Sequence, residues 1–228
     1  MRGGSRGVKN KNIKLINGRP LMYYTIKQAI KSKIFNNIVV STDSKKIFKL
    51  AKSFGAQGWF IRPKKLSSDS SSKVAAIKHA LLESEKYYNK KFNFIVDLDV
   101  TSPLRKVKDI INAYKFFIRK NTDILITGTT SKKNPYFNMV EIRNKEVKKV
   151  INIKKKIFRR QDAPKTYDMN ASIYIYSREV LINSKTINEA LERNVKGKAI
   201  LSEMPESRSM DIDSEYDFRL VEFLLKNQ

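Results

Sequence analysis

Short apolar runs alternate with amphipathic stretches along most of this chain, and that alternation constrains the fold more than any other feature. Asn37 to Ser41 (NIVVS) reads as a buried strand, followed by a turn at Thr42-Asp43. Lys45 to Phe54 reads as an amphipathic helix closed by Gly55, and Gly58 to Ile61 (GWFI) as a short strand. Apolar residues recur at helical spacing from Ser72 to Tyr88, at Val74, Ile77, Leu81 and Leu82. Phe92 to Leu98 is a second buried strand, Val107 to Arg119 a helix, and Ile124 to Gly128 a third strand. This order predicts an α/β fold with a doubly wound, mostly parallel sheet and helices on both faces. Ligands of such sheets sit beyond the carboxyl ends of the strands.

Residues 131–166 break the rhythm. They are polar and lysine-rich, and MVEIRNKEVKKVI suggests two strands around Asn144-Lys145. They read as an arm inserted between residues 1–130 and 167–228, where the α/β pattern resumes with ASIYIY at Ala171 to Tyr176. A helix near 178–183, a strand near 198–202 and a last helix from Ser214 to Lys226 complete it. Ser214 followed by Asp217 gives that helix a start like a capping box.

Composition removes whole classes of function. The 228 residues contain no cysteine, which excludes disulfides, thiolate zinc sites and a thiol nucleophile. A single histidine, His79, cannot build a histidine-rich metal site and reads as a helix-surface residue. No run of 18 apolar residues exists, so no transmembrane helix is expected, and without an apolar leader the expected location is the cytoplasm. The formal charge of +25 raises nucleic acid as a partner. However, 34 of the 47 basic residues are lysines spread over the whole chain, whereas specific nucleic-acid binders cluster arginine and aromatics. A cationic surface also suits a smaller polyanion such as a nucleoside triphosphate.

Five segments carry the chemistry. RGGSRGVKNKN (Arg2 to Asn12) has glycines that let the backbone approach a ligand, and it is rich in the donors a triphosphate needs. It is neither a Walker A loop nor a Rossmann fingerprint, and taken alone it also fits a disordered basic terminus. RPKKLSSDSSS (Arg62 to Ser72) leads hydroxyls into a helix start, which fits either anion binding or N-capping by Asp69 or Ser70. DLDVTSPLR (Asp97 to Arg105) follows a buried strand, so Asp99, Thr101 and Ser102 emerge at its carboxyl end. Acids there are costly to bury without a cation or sugar hydroxyls, and a surface turn is the alternative. RRQDAPKTYDMNASIYIY (Arg159 to Tyr176) feeds a cationic, amide-rich loop into a strand. In it Arg160 can clamp a carboxylate and Asn170 can bond sugar hydroxyls. In MDIDSEYDF (Met210 to Phe218), Asp211 and Asp213 alternate around Ile212 and point the same way if extended. Such a pair suits Mg²⁺, while helix capping by Asp213 is the competing reading.

In this order the five segments resemble the CMP-sialic acid synthetase (acylneuraminate cytidylyltransferase) family over essentially the whole chain. The resemblance implies a nucleotidyltransferase-like, Rossmann-like sheet with a small dimerisation arm and a homodimer. It implies the reaction CTP + nonulosonate → CMP-nonulosonate + pyrophosphate, with Mg²⁺ as cofactor. Arg2, Gly3, Ser5, Arg6, Lys11 and Asn12 would form the CTP loop, with Arg62 and Ser70 beside the nucleotide. Asp211 and Asp213 would hold the metal. Asp99, Thr101, Arg160, Gln161, Asn170 and Tyr174 would meet the acceptor sugar. Arg2, Lys11 and Asp211 would be catalytic, assisting in-line attack of the anomeric hydroxyl on the α-phosphorus.

Departures from the family pattern refine these expectations. Asp99 stands where the family usually has Gln, Asp168-Met169 precede Asn170, and Ala171-Ser172 replace Gly-Ala. These point to a modified acceptor, a legionaminic-type diamino nonulosonate or an amino-substituted octulosonate. Arg6 replaces a usual Lys. The family's apolar strand before the glycine loop is absent, so a misassigned start or a truncated gene is expected. The competing readings are a CMP-Kdo-type (octulosonate) enzyme, a catalytically inactive truncated homologue, and a basic nucleic-acid binder.

Overall fold

The computed structural model describes residues 1–5, 7–154, 156–193 and 198–227. In chain order the elements are β1 (Leu15–Ile16), β2 (Arg19–Pro20), α1 (Leu21–Ser32), α2 (Lys45–Ser53), α3 (Lys73–Tyr88), β3 (Phe94–Leu98) and α4 (Val107–Lys120). There follow β4 (Ile124–Thr130), β5 (Val140–Arg143), β6 (Glu146–Lys149), β7 (Tyr167–Ser177), α5 (Arg178–Asn183), α6 (Ile187–Glu192), β8 (Ile200–Glu203) and α7 (Glu215–Lys226). The expected α/β pattern is present. α1 and α6 add two helices not anticipated from the sequence, although Leu21, Met22, Thr25, Ile26 and Ala29 are buried at helical spacing.

The main sheet has the order β3-β7-β4-β8. β7 is antiparallel to both β3 and β4, whereas β4 and β8 are parallel. Three of the four strands therefore run one way, and β7 alone runs the other. Its Ile173, Ile175 and Tyr176 are fully buried, as suits a central strand covered on both faces. The segments read as strands at 37–41 and 58–61 do not form regular strands. Val40 donates to the Gln57 carbonyl at 2.9 Å, Gln57 donates to Ile38 at 2.7 Å, and the ladder then breaks. At the break Trp59 turns aside to stack on Tyr87 at 4.3 Å, and its indole N–H bonds the Glu83 carbonyl.

Helix ends follow local chemistry. Ser214 and Asp217 form the expected capping box on α7. α3 starts later than Asp69 or Ser70 would place it: Ser72 is its N-cap residue, and its hydroxyl goes to the Lys185 carbonyl instead. His79 is half-buried rather than on the surface, its ring edge-on to Phe60 at 5.3 Å. The β5–β6 hairpin turns at Asn144 and Lys145, which have φ of 54° and 66°. Positive φ at both central residues is the turn chemistry of a two-residue hairpin. No described helix is long and apolar enough to cross a membrane.

Candidate active site

The site is organised by an irregularity in β7. The β4–β7 register shifts between Ile126 and Gly128. The Thr127 hydroxyl fills the gap, donating to Asn170 Oδ1 at 2.6 Å and accepting from the Ile173 amide at 3.0 Å. Gly128 is required here, because a Cβ would stand 2.7 Å from the Asp168 carbonyl. A bulge of this kind frees a backbone group from the ladder and re-aims it. The freed group is the Ala171 amide, which donates to Asp211 Oδ2 at 3.0 Å.

Asp211 is thereby held from two sides. Its other oxygen accepts the hydroxyl of Ser102, which is fully buried. The Ile212 amide donates to the Thr101 carbonyl at 3.0 Å, which stitches the Asp211 loop to the carboxyl end of β3. Burial raises the Asp211 pKa above the ordinary carboxylate value. The Ser102 and Ala171 bonds oppose that shift, while the charges of Asp99 and Asp213 reinforce it.

The amino-terminal loop closes against the same place. Buried Val8 anchors it, and a short 3₁₀ turn at Lys11–Ile13 follows. Lys11 Nζ bonds the Ile212 carbonyl and lies 3.6 Å from Asp213 Oδ1. Buried Asn12 donates to the Arg2 carbonyl at 2.8 Å, and the Gly3 amide donates to Asp43 Oδ1 at 2.8 Å. Gly7 packs so tightly on the acidic loop that a Cβ would fall 1.7 Å from the Asp213 carbonyl oxygen. Residues from opposite ends of the chain thus form one cationic and acidic rim beyond β3, where ligands of open α/β sheets bind.

A family model described as Cytidylyltransferase matches residues 1–216. The chain belongs to the cytidylyltransferase family. It is 44% identical over 228 residues to "Post-translational flagellin modification protein B" of Campylobacter coli, covering 100% of this chain and 93% of that protein. It is 44% identical over 225 residues to "CMP-N,N'-diacetyllegionaminic acid synthase" of Campylobacter jejuni, covering 98% of this chain and 92% of that one. Among solved structures, CMP:2-keto-3-deoxy-manno-octonic acid synthetase superposes with a TM-score of 0.69 at 15% identity, covering 100% of this chain and 96% of that one. That likeness shows the shared fold.

Several of the residues picked out from the sequence for this cytidylyltransferase converge. Lys11, Asn12, Gly3, Asp211 and Asp213 line the rim, and Arg2 reaches across it to pair with Asp69. Ser5 is half-buried in the same loop, and Arg6 lies outside the described residues. Ser70 is exposed and bonds Ser68 within its own loop. Asp99 and Thr101 follow β3, where Asp99 Oδ1 accepts both the Thr101 amide and its hydroxyl at 3.1 Å. Tyr174 is buried beside Asp97, its register partner, and burial raises its pKa.

The remaining candidates stand apart from this rim. Asn170 is buried with its carbonyl on Thr127 and its amide toward Met204 Sδ at 3.7 Å, so it holds the bulge rather than facing a sugar. Arg62 is also buried, and its guanidinium is committed to Ser41 and to the Met1 carbonyl. It braces the rim from behind. Arg160 sits exposed in a 3₁₀ turn, Arg160–Asp162, and bonds the Ser131 carbonyl at 2.9 Å. No described contact joins Arg160 or exposed Gln161 to Asp99 or Asp211.

The sequence reading placed Ser102 after the strand without a role at Asp211, and it missed the Ala171 amide, Lys73 and Arg105. Ser102 and the Ala171 amide hold Asp211, and Lys73 pairs with Asp97 and Asp99. Arg105, fully buried, ties the loop after β3 to Thr25 of α1 and to the Ser172 carbonyl of β7. Burial lowers its pKa to about 10 against the opposing charges of Asp99, Asp97, Asp109 and Asp211.

Proposed function

We propose that this cytidylyltransferase transfers CMP from CTP to a nonulosonic acid of the diacetyllegionaminic type, releasing pyrophosphate. One observation carries the site assignment: Lys11, Asp213 and the Ser102- and Ala171-bound Asp211 converge beyond β3. The acceptor class is supported by the 44% identity, over 98% of the chain, to a protein named for that product.

In this reading the Arg2–Asn12 loop takes the triphosphate. Its amides and the Lys11 ammonium offset phosphate charge, and Gly7 lets the backbone close on the acidic loop. Asp211 and Asp213 are a suitable donor set for Mg²⁺: two carboxylates, one of them half-buried with its pKa raised, gain most from a cation between them. When bound, Mg²⁺ would neutralise phosphate charge and acidify the attacking hydroxyl. Asp99 and Tyr174 would lie on the acceptor side. Arg160 and Gln161 would reach the acceptor from residues 131–166, which we read as an inserted arm.

That arm also supports a homodimer. Ile142 and Val147 face each other across the β5–β6 hairpin, and with Val140 and Phe158 they are more than half exposed. A second copy would cover this apolar surface. A cytoplasmic location, where CTP is available, goes with the same reading.

The test is pyrophosphate release from CTP and Mg²⁺ with a panel of nonulosonates and 2-keto-3-deoxy-octonate. Release with N,N'-diacetyllegionaminic acid above all others is the expected result. Preference for the octonate, or silence from folded protein with every acceptor, would overturn it.

A further inference from the structure

Lys73 is the first residue of α3, yet its side chain crosses to the carboxyl end of β3. Its Nζ lies 2.8 Å from Asp97 Oδ2 and 3.0 Å from Asp99 Oδ2. The same ammonium stands 5.0 Å from the centre of the Tyr174 ring. Asp97 and Tyr174 are register partners on β3 and β7, so the cation is enclosed by two carboxylates and an aromatic face.

Two carboxylates at i and i+2 share one face of a strand and repel each other. A single ammonium between them satisfies Oδ2 of Asp99, while Thr101 satisfies Oδ1. Asp99 therefore has one orientation, fixed by partners on both oxygens. Burial pushes its pKa up, but Lys73 and the Thr101 amide outweigh that and keep it below the ordinary carboxylate range. The cluster is not closed off as a core ion pair would be. The side chains of Lys73, Asp97 and Asp99 keep 35%, 21% and 28% of their surface exposed. It also adjoins the site directly, since Thr101 and Ser102 bond Ile212 and Asp211.

We infer that Lys73 is a positioning residue for the acceptor, holding Asp99 and the Tyr174 face as one wall of the sugar subsite. The inference rests on the nonulosonate reading above. Each Asp99 carboxylate oxygen has two lone pairs, so acceptor capacity remains beside Lys73 and Thr101. Such a wall takes hydroxyl and amide N–H donors of the acceptor.

The test measures KM for CTP and for N,N'-diacetyllegionaminic acid separately, in the full chain and in Lys73→Met, Lys73→Arg and Asp97→Asn. Lys73→Met should raise the acceptor KM by about tenfold to a hundredfold, the range expected for losing a charged hydrogen bond, and change the CTP KM by less than about twofold. Lys73→Arg keeps the cation and should recover most of the loss. Asp97→Asn keeps the Lys73–Asp99 pair and should cost less than about threefold. Equal rises in both KM values, equal loss in Lys73→Met and Lys73→Arg, or no change in Lys73→Met would each overturn the inference. If Lys73→Met does not fold, as judged by thermal melting, the Arg and Asn variants decide: a rise in acceptor KM of about tenfold or more in either one overturns it.

Acceptor binding by calorimetry separates this inference from the reading beneath it. A wild-type chain that binds the acceptor without releasing pyrophosphate sinks the proposed reaction. The Lys73 variants are then ranked by acceptor Kd. A chain that binds no acceptor sinks both.

Discussion

The backbone amide of Ala171 points at Asp211 Oδ2 from 3.0 Å, across 40 residues of chain. That bond exists because β7 bulges, and the bulge exists because Thr127 and Asn170 satisfy the groups it leaves over. A strand irregularity thereby fixes the orientation of the Asp211 carboxylate.

Asp211→Asn should separate activity from stability. The folded-state pKa of Asp211 is raised, so its ionised form works against folding at neutral pH and is relieved as pH falls. The amide removes that cost and can still bond Ser102 and Ala171. The melting temperature should hold or rise, while pyrophosphate release falls by about a hundredfold or more. A lower melting temperature with retained turnover would contradict this.

Gly7→Ala places a methyl 1.7 Å from the Asp213 carbonyl, so the backbone must part there. The loops on either side of the rim move apart, and turnover should drop by about two orders of magnitude, the penalty of roughly 1 Å of misplacement. Steady-state kinetics with CTP varied reads the effect, since Lys11 sits on the displaced side.

Thr127→Val leaves the Ile173 amide without its partner in the core, while Asn170 Oδ1 keeps the Ser172 amide at 3.3 Å. An unsatisfied buried group costs about 1–3 kcal/mol. Urea titration should show that loss as a lower midpoint with an unchanged slope.

Glu85 supplies a pH signature. Its carboxylate is buried, and hydrogen bonding from Arg178 depresses its pKa to about 2; burial opposes this, while the Phe92 amide and Lys91 assist. A depressed acid stabilises the fold above its unfolded pKa near 4.5 and loses that contribution as pH falls toward 2. The stability advantage of wild type over Glu85→Gln should be full at pH 6 and shrink steadily below pH 4.5. A difference independent of pH would exclude this origin.

Much of this was legible along the chain. The β5–β6 turn at Asn144-Lys145, the α5 boundaries and the capping box of Ser214 and Asp217 follow from local chemistry. That Asp99, Thr101 and Ser102 emerge at the carboxyl end of β3 followed from the buried strand before them, whereas their meeting with Met210–Phe218 is a tertiary outcome. The apolar run at 58–61 does not make a paired strand. Trp59 instead packs on Tyr87, a partner that alternation cannot reveal.

The sequence by itself determined the α/β order, the element ends and the motif set that marks a cytidylyltransferase, because those depend on periodicity and on neighbours a few residues apart. Only the tertiary structure decided which motif residues face the site. Asn170 and Arg62 carry the right chemistry but spend it on Thr127 and on the Ser41 and Met1 backbone, while Lys73, unremarked in its helix, reaches Asp99 26 positions away. The physical reason is that a buried polar group must find its partner wherever the packed chain brings one, and no local spacing encodes that choice.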